Sequence, residues 1–163
     1  MRADLRILAA RWDGDRPGVE GVRRAVFIDE QGVPEPDEWD GLDPGSRHVL
    51  AVIPKRDAVG TARLEPTGKI ARVAVLPQYR GTGIGAALVG YLVDLARTLG
   101  HTRVYLNSQS SAVGFYERLG FRAEGPEFDE VGIPHRRMSL QLRQRDEQQA
   151  ERDGNTEHPD DGR

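Results

Sequence analysis

A glycine-rich turn between an apolar segment and a long amphipathic segment constrains this chain most. Residues 73–85 run Val-Ala-Val-Leu-Pro-Gln-Tyr-Arg-Gly-Thr-Gly-Ile-Gly. The glycines at 81, 83 and 85 lack Cβ atoms, so backbone N–H groups could approach an anion closely there. An amphipathic stretch over residues 86–99 follows, and a helix in this place would direct the positive end of its dipole at the same point. The stretch therefore predicts a strand, a phosphate-binding loop and a helix.

Composition narrows the class of protein. The 163 residues carry a formal net charge of −3. A chain with this charge is not expected to attract nucleic acid or an anionic membrane through its overall charge. The chain has no cysteine, which excludes disulfides, thiolate metal sites and a cysteine nucleophile. Neither a signal-peptide pattern nor an apolar run of membrane-spanning length is present, so we expect a cytoplasmic protein.

Periodicity predicts an α+β fold around a single mixed, mostly antiparallel sheet of six to seven strands flanked by helices. Apolar spacing indicates helices near residues 17–30, 84–99 and 110–119, and extended segments at residues 5–9, 48–53, 58–64, 70–76, 102–107, from 121, and 137–142. Residues 1–142 should form one domain, and the polar residues 143–163 should be a disordered tail.

Two common phosphate loops do not match the glycine turn. A Walker A loop needs Gly-x-x-x-x-Gly-Lys-Ser/Thr, and the sequence has no such run. The dinucleotide fingerprint can be placed on Gly81, Gly83 and Ala86, but that loop belongs after the first strand of a parallel sheet, with an acidic residue about 20 positions later. Several predicted elements precede the turn here, so this match is weak.

Two separated motifs resemble those of a known family. Gln78-Tyr-Arg-Gly-Thr-Gly83 is similar to the coenzyme A loop of the GNAT N-acetyltransferase superfamily, and Gly114-Phe-Tyr-Glu-Arg-Leu-Gly-Phe121 is similar to its second signature. The resemblance covers residues 5–142. Residues 22–33 and 129–138 further resemble runs of the ElaA-like branch. The resemblance implies the acyl-CoA N-acyltransferase fold and direct transfer of acetyl from acetyl-CoA to a primary amine in a ternary complex.

The resemblance also implies which residues hold acetyl-CoA. The backbone of Arg80, Gly81, Thr82, Gly83, Ile84 and Gly85 should cradle the pyrophosphate. The strand containing Val73, Ala74 and Val75 should splay from the strand that ends at Asn107, so that the pantetheine amides pair with Val73 and Val75 like an added strand. An ordinary central strand is the alternative. Asn107 either contacts the cofactor or is a turn residue, and the sequence favours neither.

Tyr116 occupies the position of the family's general acid, which protonates the departing thiolate. A core aromatic residue on an amphipathic helix is the alternative interpretation. The residue that accepts a proton from the amine is less clear, because many relatives place a Glu on the strand before the glycine loop and residues 70–76 contain no acid. Glu30, His48, Glu65, His135 and a chain of waters all stay open as candidates.

The acidic loop over residues 35–43 has two interpretations. It is either a solvated connection, or it flanks the acceptor site, where its carboxylates would attract a cationic amine and Trp39 would form an apolar wall.

A non-catalytic acyl-CoA-binding regulatory module is the alternative to an enzyme, and a nucleotide-binding domain is a weaker third option. The acceptor should be a small-molecule or peptide amine. No His/Asp/Glu pattern indicates a metal site. Homodimers are common in the family, and the sequence does not determine the oligomeric state.

Overall fold

A computed structural model describes residues 4–54 and 57–143. This part of the chain contains seven strands, four α-helices, one π-helix and two 3₁₀ turns. The elements are β1 (Arg6–Ala10), α1 (Trp12–Arg23), a π-helix (Arg24–Glu30), α2 (Glu35–Glu38), β2 (Arg47–Val52), β3 (Ala58–Leu64), β4 (Ile70–Val75), a 3₁₀ turn (Pro77–Tyr79), α3 (Ile84–Thr98), β5 (Arg103–Gln109), a 3₁₀ turn (Ser110–Ala112), α4 (Val113–Arg118), β6 (Arg122–Glu130) and β7 (Ile133–Gln141). All but one residue of the predicted tail lies outside the described residues.

The strands form two antiparallel sheets that meet edge to edge. Four strands follow the order β1-β2-β3-β4, and three follow the order β5-β7-β6. A parallel bridge between Lys69 and Tyr105 joins the two sheets at the base of β4 and β5. The predicted α+β class and strand content are confirmed, with the predicted single sheet divided between β4 and β5.

The first helix begins earlier than its apolar spacing predicts. It starts at Trp12 rather than near Pro17, and the N–H of Arg11 donates to the carboxylate of Asp15 at 2.7 Å. Trp12 also stacks on His48 of β2, with ring centroids 5.1 Å apart. This tertiary contact anchors the first turn, so the helix extends beyond the amphipathic segment that the sequence displays.

Helix α3 supplies much of the core that positions the site. Leu88, Leu92 and Ala96 on one face are fully buried and pack with residues of β2, β3, β5 and β7. Burial of a leucine side chain contributes roughly 1.5–3 kcal/mol, so this face fixes the helix firmly to the sheets. At Gly60 of β3 a Cβ would lie 3.0 Å from Leu88, which explains how the helix approaches so closely.

A buried ionic cluster lies beside the core. Arg23 of α1 and Arg63 of β3 are 0% and 1% exposed, and both guanidinium groups contact the carboxylate of Asp43, at 2.5 and 3.0 Å. Arg23 also contacts Glu38 at 2.7 Å, and Arg63 contacts Asp40 at 2.8 Å. The interpretation of residues 35–43 as a solvated connection holds only in part: six of the nine residues are exposed, but Glu38 and Asp43 are buried and paired with arginines from distant elements.

Candidate active site

A cavity of about 830 Å³ opens where β4 and β5 separate. Its walls come from β4, the glycine loop and the start of α3 on one side, and from β5 and α4 on the other. Residues of the π-helix and of the β6–β7 hairpin also line it. The cavity thus connects the glycine loop with the gap between the two sheets.

The β4 edge that faces this gap has free backbone groups. The N–H of Leu76 donates to Val59 of β3 at 2.9 Å, and Ala74 is paired with Thr61. Since hydrogen-bonding direction alternates along a strand, the backbone groups of Val73 and Val75 are directed away from β3. The side chain of Arg80 reaches one of them, because its Nε donates to the Val75 carbonyl at 2.9 Å.

A bulge in β4 adjoins this edge. The pairing shifts between Thr61 and Arg63, and Arg72 has a φ of +55°, a conformation rare in residues other than glycine. Its guanidinium lies 3.1 Å from the carboxylate of Glu38 and 3.3 Å from that of Asp40. These ion pairs hold Arg72 in the bulge and connect the acidic loop to the cavity wall.

The glycine loop has the geometry of an anion site. Gly81 and Gly83 have φ values of +74° and +87°, and α3 begins directly after Gly83 with no side-chain cap and no acid in its first turn. The first N–H groups of a helix lack intrahelical acceptors, so those of residues 84–86 are available to a ligand. The Thr82 hydroxyl donates to the Tyr79 carbonyl at 2.6 Å and closes the turn.

The three glycines of the loop are not required for one common reason. The sequence suggested that all three allow backbone N–H groups to approach an anion, but their surroundings differ. A Cβ at Gly81 or Gly83 would meet nothing within 4 Å, so these positions need glycine for their positive φ rather than for space. At Gly85 a Cβ would lie 3.3 Å from the ring of Phe115, so this glycine permits close packing of α3 on α4. Ile84 is buried beneath the loop at 3% exposure.

An ion pair ties the loop to the π-helix. The guanidinium of Arg80 contacts both oxygens of Glu30, at 2.7 and 2.6 Å. The hydrogen bond from Arg80 lowers the pKa of Glu30, and the same bond raises the pKa of Arg80. Arg80 lines the cavity. Glu30 is therefore a charged neighbour of the glycine loop, and its lowered pKa and its pairing with Arg80 make it a weak proton acceptor, which argues against its role as a general base.

Tyr116 of α4 lines the cavity and is 8% exposed. Its ring packs edge-on against Phe115 and Phe121, with centroid distances of 4.9 and 5.8 Å. Burial raises the pKa of the Tyr116 hydroxyl, so the group stays protonated at neutral and moderately alkaline pH. It can act as a proton donor to a group in the cavity.

Asn107 of β5 presents an unpaired acceptor at the same cavity. Its Oδ1 is buried and has no hydrogen-bond partner among the described residues. A buried acceptor without a partner is unfavourable, so a ligand with N–H or O–H groups would stabilise it. The interpretation as a simple turn residue fits less well, because Asn107 lies inside the strand.

Three acceptor-site candidates lie elsewhere. The His48 imidazole is buried, donates from Nε2 to the Asp43 carbonyl at 2.9 Å, and is not part of the cavity wall; burial lowers its pKa. Trp39 packs beneath the guanidinium of Arg23, 5.1 Å from the ring centroid, instead of forming a wall of the cavity. Glu65 belongs to the ionic cluster and contacts Arg63 at 3.1 Å.

The acidic loop reaches the cavity, but its carboxylates are mostly engaged. Asp37 and Glu38 line the wall. Burial raises the pKa of Glu38, although Arg72 and Arg23 oppose that effect. Because both carboxylate oxygens of Glu38 face arginines, the loop offers a cationic amine less free negative charge than its composition suggests.

His135 is the sequence candidate that the structure places on the cavity wall. It lies on β7, where its ring stacks on Phe128 of β6 at 6.0 Å. Sequence reasoning missed its neighbour Glu130, which also lines the cavity and lies 3.4 Å from the imidazole Nε2. Glu130 is within the run of residues 129–138 that resembles the ElaA-like branch, but only the hairpin brings the two side chains together.

Comparison with known proteins identifies the family. The profile of the acetyltransferase (GNAT) domain matches residues 20–142. The N-acetyltransferase YjcF of Bacillus subtilis, itself uncharacterised, is 36% identical over 121 residues, which cover 72% of this chain and 86% of YjcF. Protein ElaA of Escherichia coli is 33% identical over 131 residues, which cover 74% and 84%. The chain belongs to the GNAT acetyltransferase family and is an N-acetyltransferase of that family.

Solved structures agree with this assignment. The crystal structure of Escherichia coli ElaA superposes with a TM-score of 0.74 at 26% identity, covering 83% of this chain and 98% of ElaA. A GNAT acetyltransferase from Elizabethkingia anophelis with acetyl-CoA bound has the same fold, with a TM-score of 0.65 at 16% identity and coverage of 86% and 100%. The resemblance to the ElaA-like branch is confirmed. Among the described residues, no helix is long and apolar enough to cross a membrane.

Proposed function

We propose that this protein transfers acetyl from acetyl-CoA to a primary amine by direct attack within a ternary complex. One observation carries the proposal: a single cavity is lined by the glycine loop, the edge of β4 and Tyr116. These three parts match the three demands of the reaction, which are phosphate binding, thioester positioning and protonation of a thiolate.

The residues around the gap fit acetyl-CoA chemically. The first-turn N–H groups of α3 and the loop at Gly81 and Gly83 would bind the pyrophosphate. The edge groups of Val73 and Val75 would pair with the pantetheine amides, and Asn107 Oδ1 would accept from a further N–H. The residues that carry these groups line the cavity, and Asn107 Oδ1 has no hydrogen-bond partner among the described residues.

Tyr116 is the proposed general acid. The amine nitrogen attacks the thioester carbonyl, the C–S bond breaks, and the sulfur leaves as a thiolate that takes the Tyr116 proton. The raised pKa of the buried hydroxyl keeps the proton in place until the thiolate forms. A thiol has a pKa of about 8.5, below that of tyrosine, so the transfer is completed only because the tyrosinate is reprotonated. Tyrosinate then regains a proton as the attacking nitrogen loses one.

The test is an assay of acetyl transfer across a panel of amines. The panel should contain small alkyl amines, polyamines, amino sugar phosphates and peptide N-termini, with thiol release measured spectrophotometrically and acetylated products identified by mass spectrometry. Product formation that depends on both acetyl-CoA and an amine is expected. Calorimetric binding of acetyl-CoA without any product would instead favour a regulatory acyl-CoA-binding module.

A further inference from the structure

The β6–β7 hairpin places an ion pair, His135 and Glu130, on the cavity wall, and the proposed role of Tyr116 does not involve this pair. The hairpin turns through Val131 and Gly132, both with positive φ, so that Glu130 ends β6 and Ile133 begins β7. The His135 side chain is 8% exposed and is held by stacking on Phe128. The hairpin thus fixes an imidazole on the cavity wall.

The backbone determines which imidazole nitrogen carries the proton. His135 Nδ1 lies 2.6 Å from the carbonyl oxygen of Ile133. A carbonyl oxygen can only accept, so Nδ1 must be the donor and carry hydrogen. In the neutral ring Nε2 therefore has the free lone pair. Glu130 Oε2 lies 3.4 Å from this nitrogen, so an imidazolium formed by protonation of Nε2 would have an ion-pair partner at once.

We infer that His135 is the base that removes a proton from the incoming ammonium, and that Glu130 is its positioning partner. The inference rests on the proposed function. An amine arrives mainly as R–NH₃⁺ at neutral pH, and the reaction yields amide, thiol and one released proton. His135 Nε2 takes that released proton and passes it through the half-exposed Glu130 to solvent. A second proton from the amine nitrogen returns to Tyr116 and replaces the proton that Tyr116 gives to the thiolate.

Other charged groups at the cavity are less suited to this role. Glu38 contacts Arg23 and Arg72, and Arg72 itself is paired with Glu38 and Asp40. From α2 the carboxylate of Asp37 also lines the wall, on an exposed residue. Among these groups, the hairpin imidazole combines burial, a determined tautomer and a nitrogen lone pair, which are the properties that a base needs.

Three variants test the inference in the full-length protein. His135→Asn keeps an amide N–H that can donate to Ile133 but lacks the basic Nε2. Glu130→Gln removes the partner carboxylate at a half-exposed position. Asp129→Asn is the matched control, because it removes the same charge one residue earlier, on the opposite face of β6 and outside the cavity wall.

The expected readout is the pH dependence of kcat/KM for an amine found in the panel. His135→Asn should lower kcat/KM by about 10²–10³ and abolish the lower pH limb, while the calorimetric Kd for acetyl-CoA stays within about twofold. Glu130→Gln should lower kcat/KM about tenfold, because the imidazolium loses its ion-pair partner. Asp129→Asn should match the wild type. Millimolar imidazole should partly restore the activity of a fourth variant, His135→Ala.

The outcomes separate two failures. If the wild-type protein acetylates an amine but His135→Asn keeps its rate and its lower pH limb, the base assignment is overturned and the proposed function stands. The same holds if Asp129→Asn loses as much activity as Glu130→Gln, since the effect would then be one of surface charge. If the wild type acetylates no amine in the panel, the proposed function fails, and the base assignment fails with it.

Discussion

Replacement of Tyr116 by phenylalanine removes only the hydroxyl group and therefore tests the proposed general acid directly. The hydroxyl has no hydrogen-bond partner among the described residues, so its removal leaves no protein group unpaired. The ring contacts with Phe115 and Phe121, at 4.9 and 5.8 Å, involve only carbon atoms that the variant retains. We therefore expect the free energy of unfolding to change by less than about 1 kcal/mol.

The effect on turnover should be far larger than the effect on stability. General acid catalysis contributes about 10²–10⁴ in rate, which corresponds to about 3–5 kcal/mol in the activation free energy. Tyr116→Phe should lower kcat by a factor in this range. The Kd for acetyl-CoA should change by less than about threefold, since the glycine loop and the β4 edge supply most of the proposed binding contacts.

The assay is thiol release at saturating acetyl-CoA, with binding measured separately by calorimetry. Tyr91→Phe is the matched control, because Tyr91 lies on α3, is partly buried against the core and is not part of the cavity wall. Because burial raises the pKa of Tyr116, wild-type kcat should not fall on deprotonation of this group at moderately alkaline pH. A Tyr116→Phe variant with kcat within twofold of the wild type would refute the general-acid assignment.

Three further predictions concern the ion pairs around the site. Arg23→Met should destabilise the protein by about 3–5 kcal/mol because it leaves buried carboxylates unpaired. Arg24→Met, at a half-exposed ion pair, should cost less than about 1 kcal/mol. Urea unfolding of the two variants measures the difference, and equal losses of stability would contradict the argument from the buried cluster. Burial alone would raise the pKa of Asp40, but hydrogen bonds from Arg63 and the Leu42 N–H outweigh it and lower the pKa from 3.8 to about 2. The lowered pKa of Asp40 stabilises the folded state by about 2 kcal/mol, or by about 1 kcal/mol after allowance for solvent screening, and this stabilisation is complete above pH 4 and disappears as pH falls through 2. The difference in unfolding free energy between wild type and Asp40→Asn should therefore narrow over that window. A difference that stays constant would contradict the prediction. Glu30→Gln should free Arg80 and remove a negative charge beside the glycine loop, which should tighten acetyl-CoA binding about two- to fivefold at low salt and less at high salt; weaker binding would show that Glu30 positions Arg80 for the ligand.

Local patterns predicted the part of the site that depends on local geometry. The glycines at 81 and 83 indicated a loop with unusual backbone angles, and the apolar periodicity after them indicated a long helix. Both features depend on residues close together in sequence, so the strand, the loop and α3 could be predicted before any tertiary contact was known. The second motif placed Tyr116 on a short helix, where the structure has it.

Long-range contacts decided the rest. The acidic composition of residues 35–43 suggests a solvated loop. Its carboxylates are paired with Arg23, Arg63 and Arg72, which come from a helix and two strands elsewhere in the chain. Similarly, His48 and His135 were equal candidates by residue type. Burial against Trp12 removes the first from the cavity, and the hairpin turn brings the second to Glu130.

The sequence alone therefore determined the fold class, the glycine loop and the tyrosine at the cavity, because periodicity, positive-φ glycines and motif spacing are local properties. Only the tertiary structure decided which charged groups are neutralised by partners and which face the cavity. The physical reason is that an ion pair or a shared proton depends on distances of a few ångströms between groups far apart along the chain, and only the packed sheets and helices determine those distances.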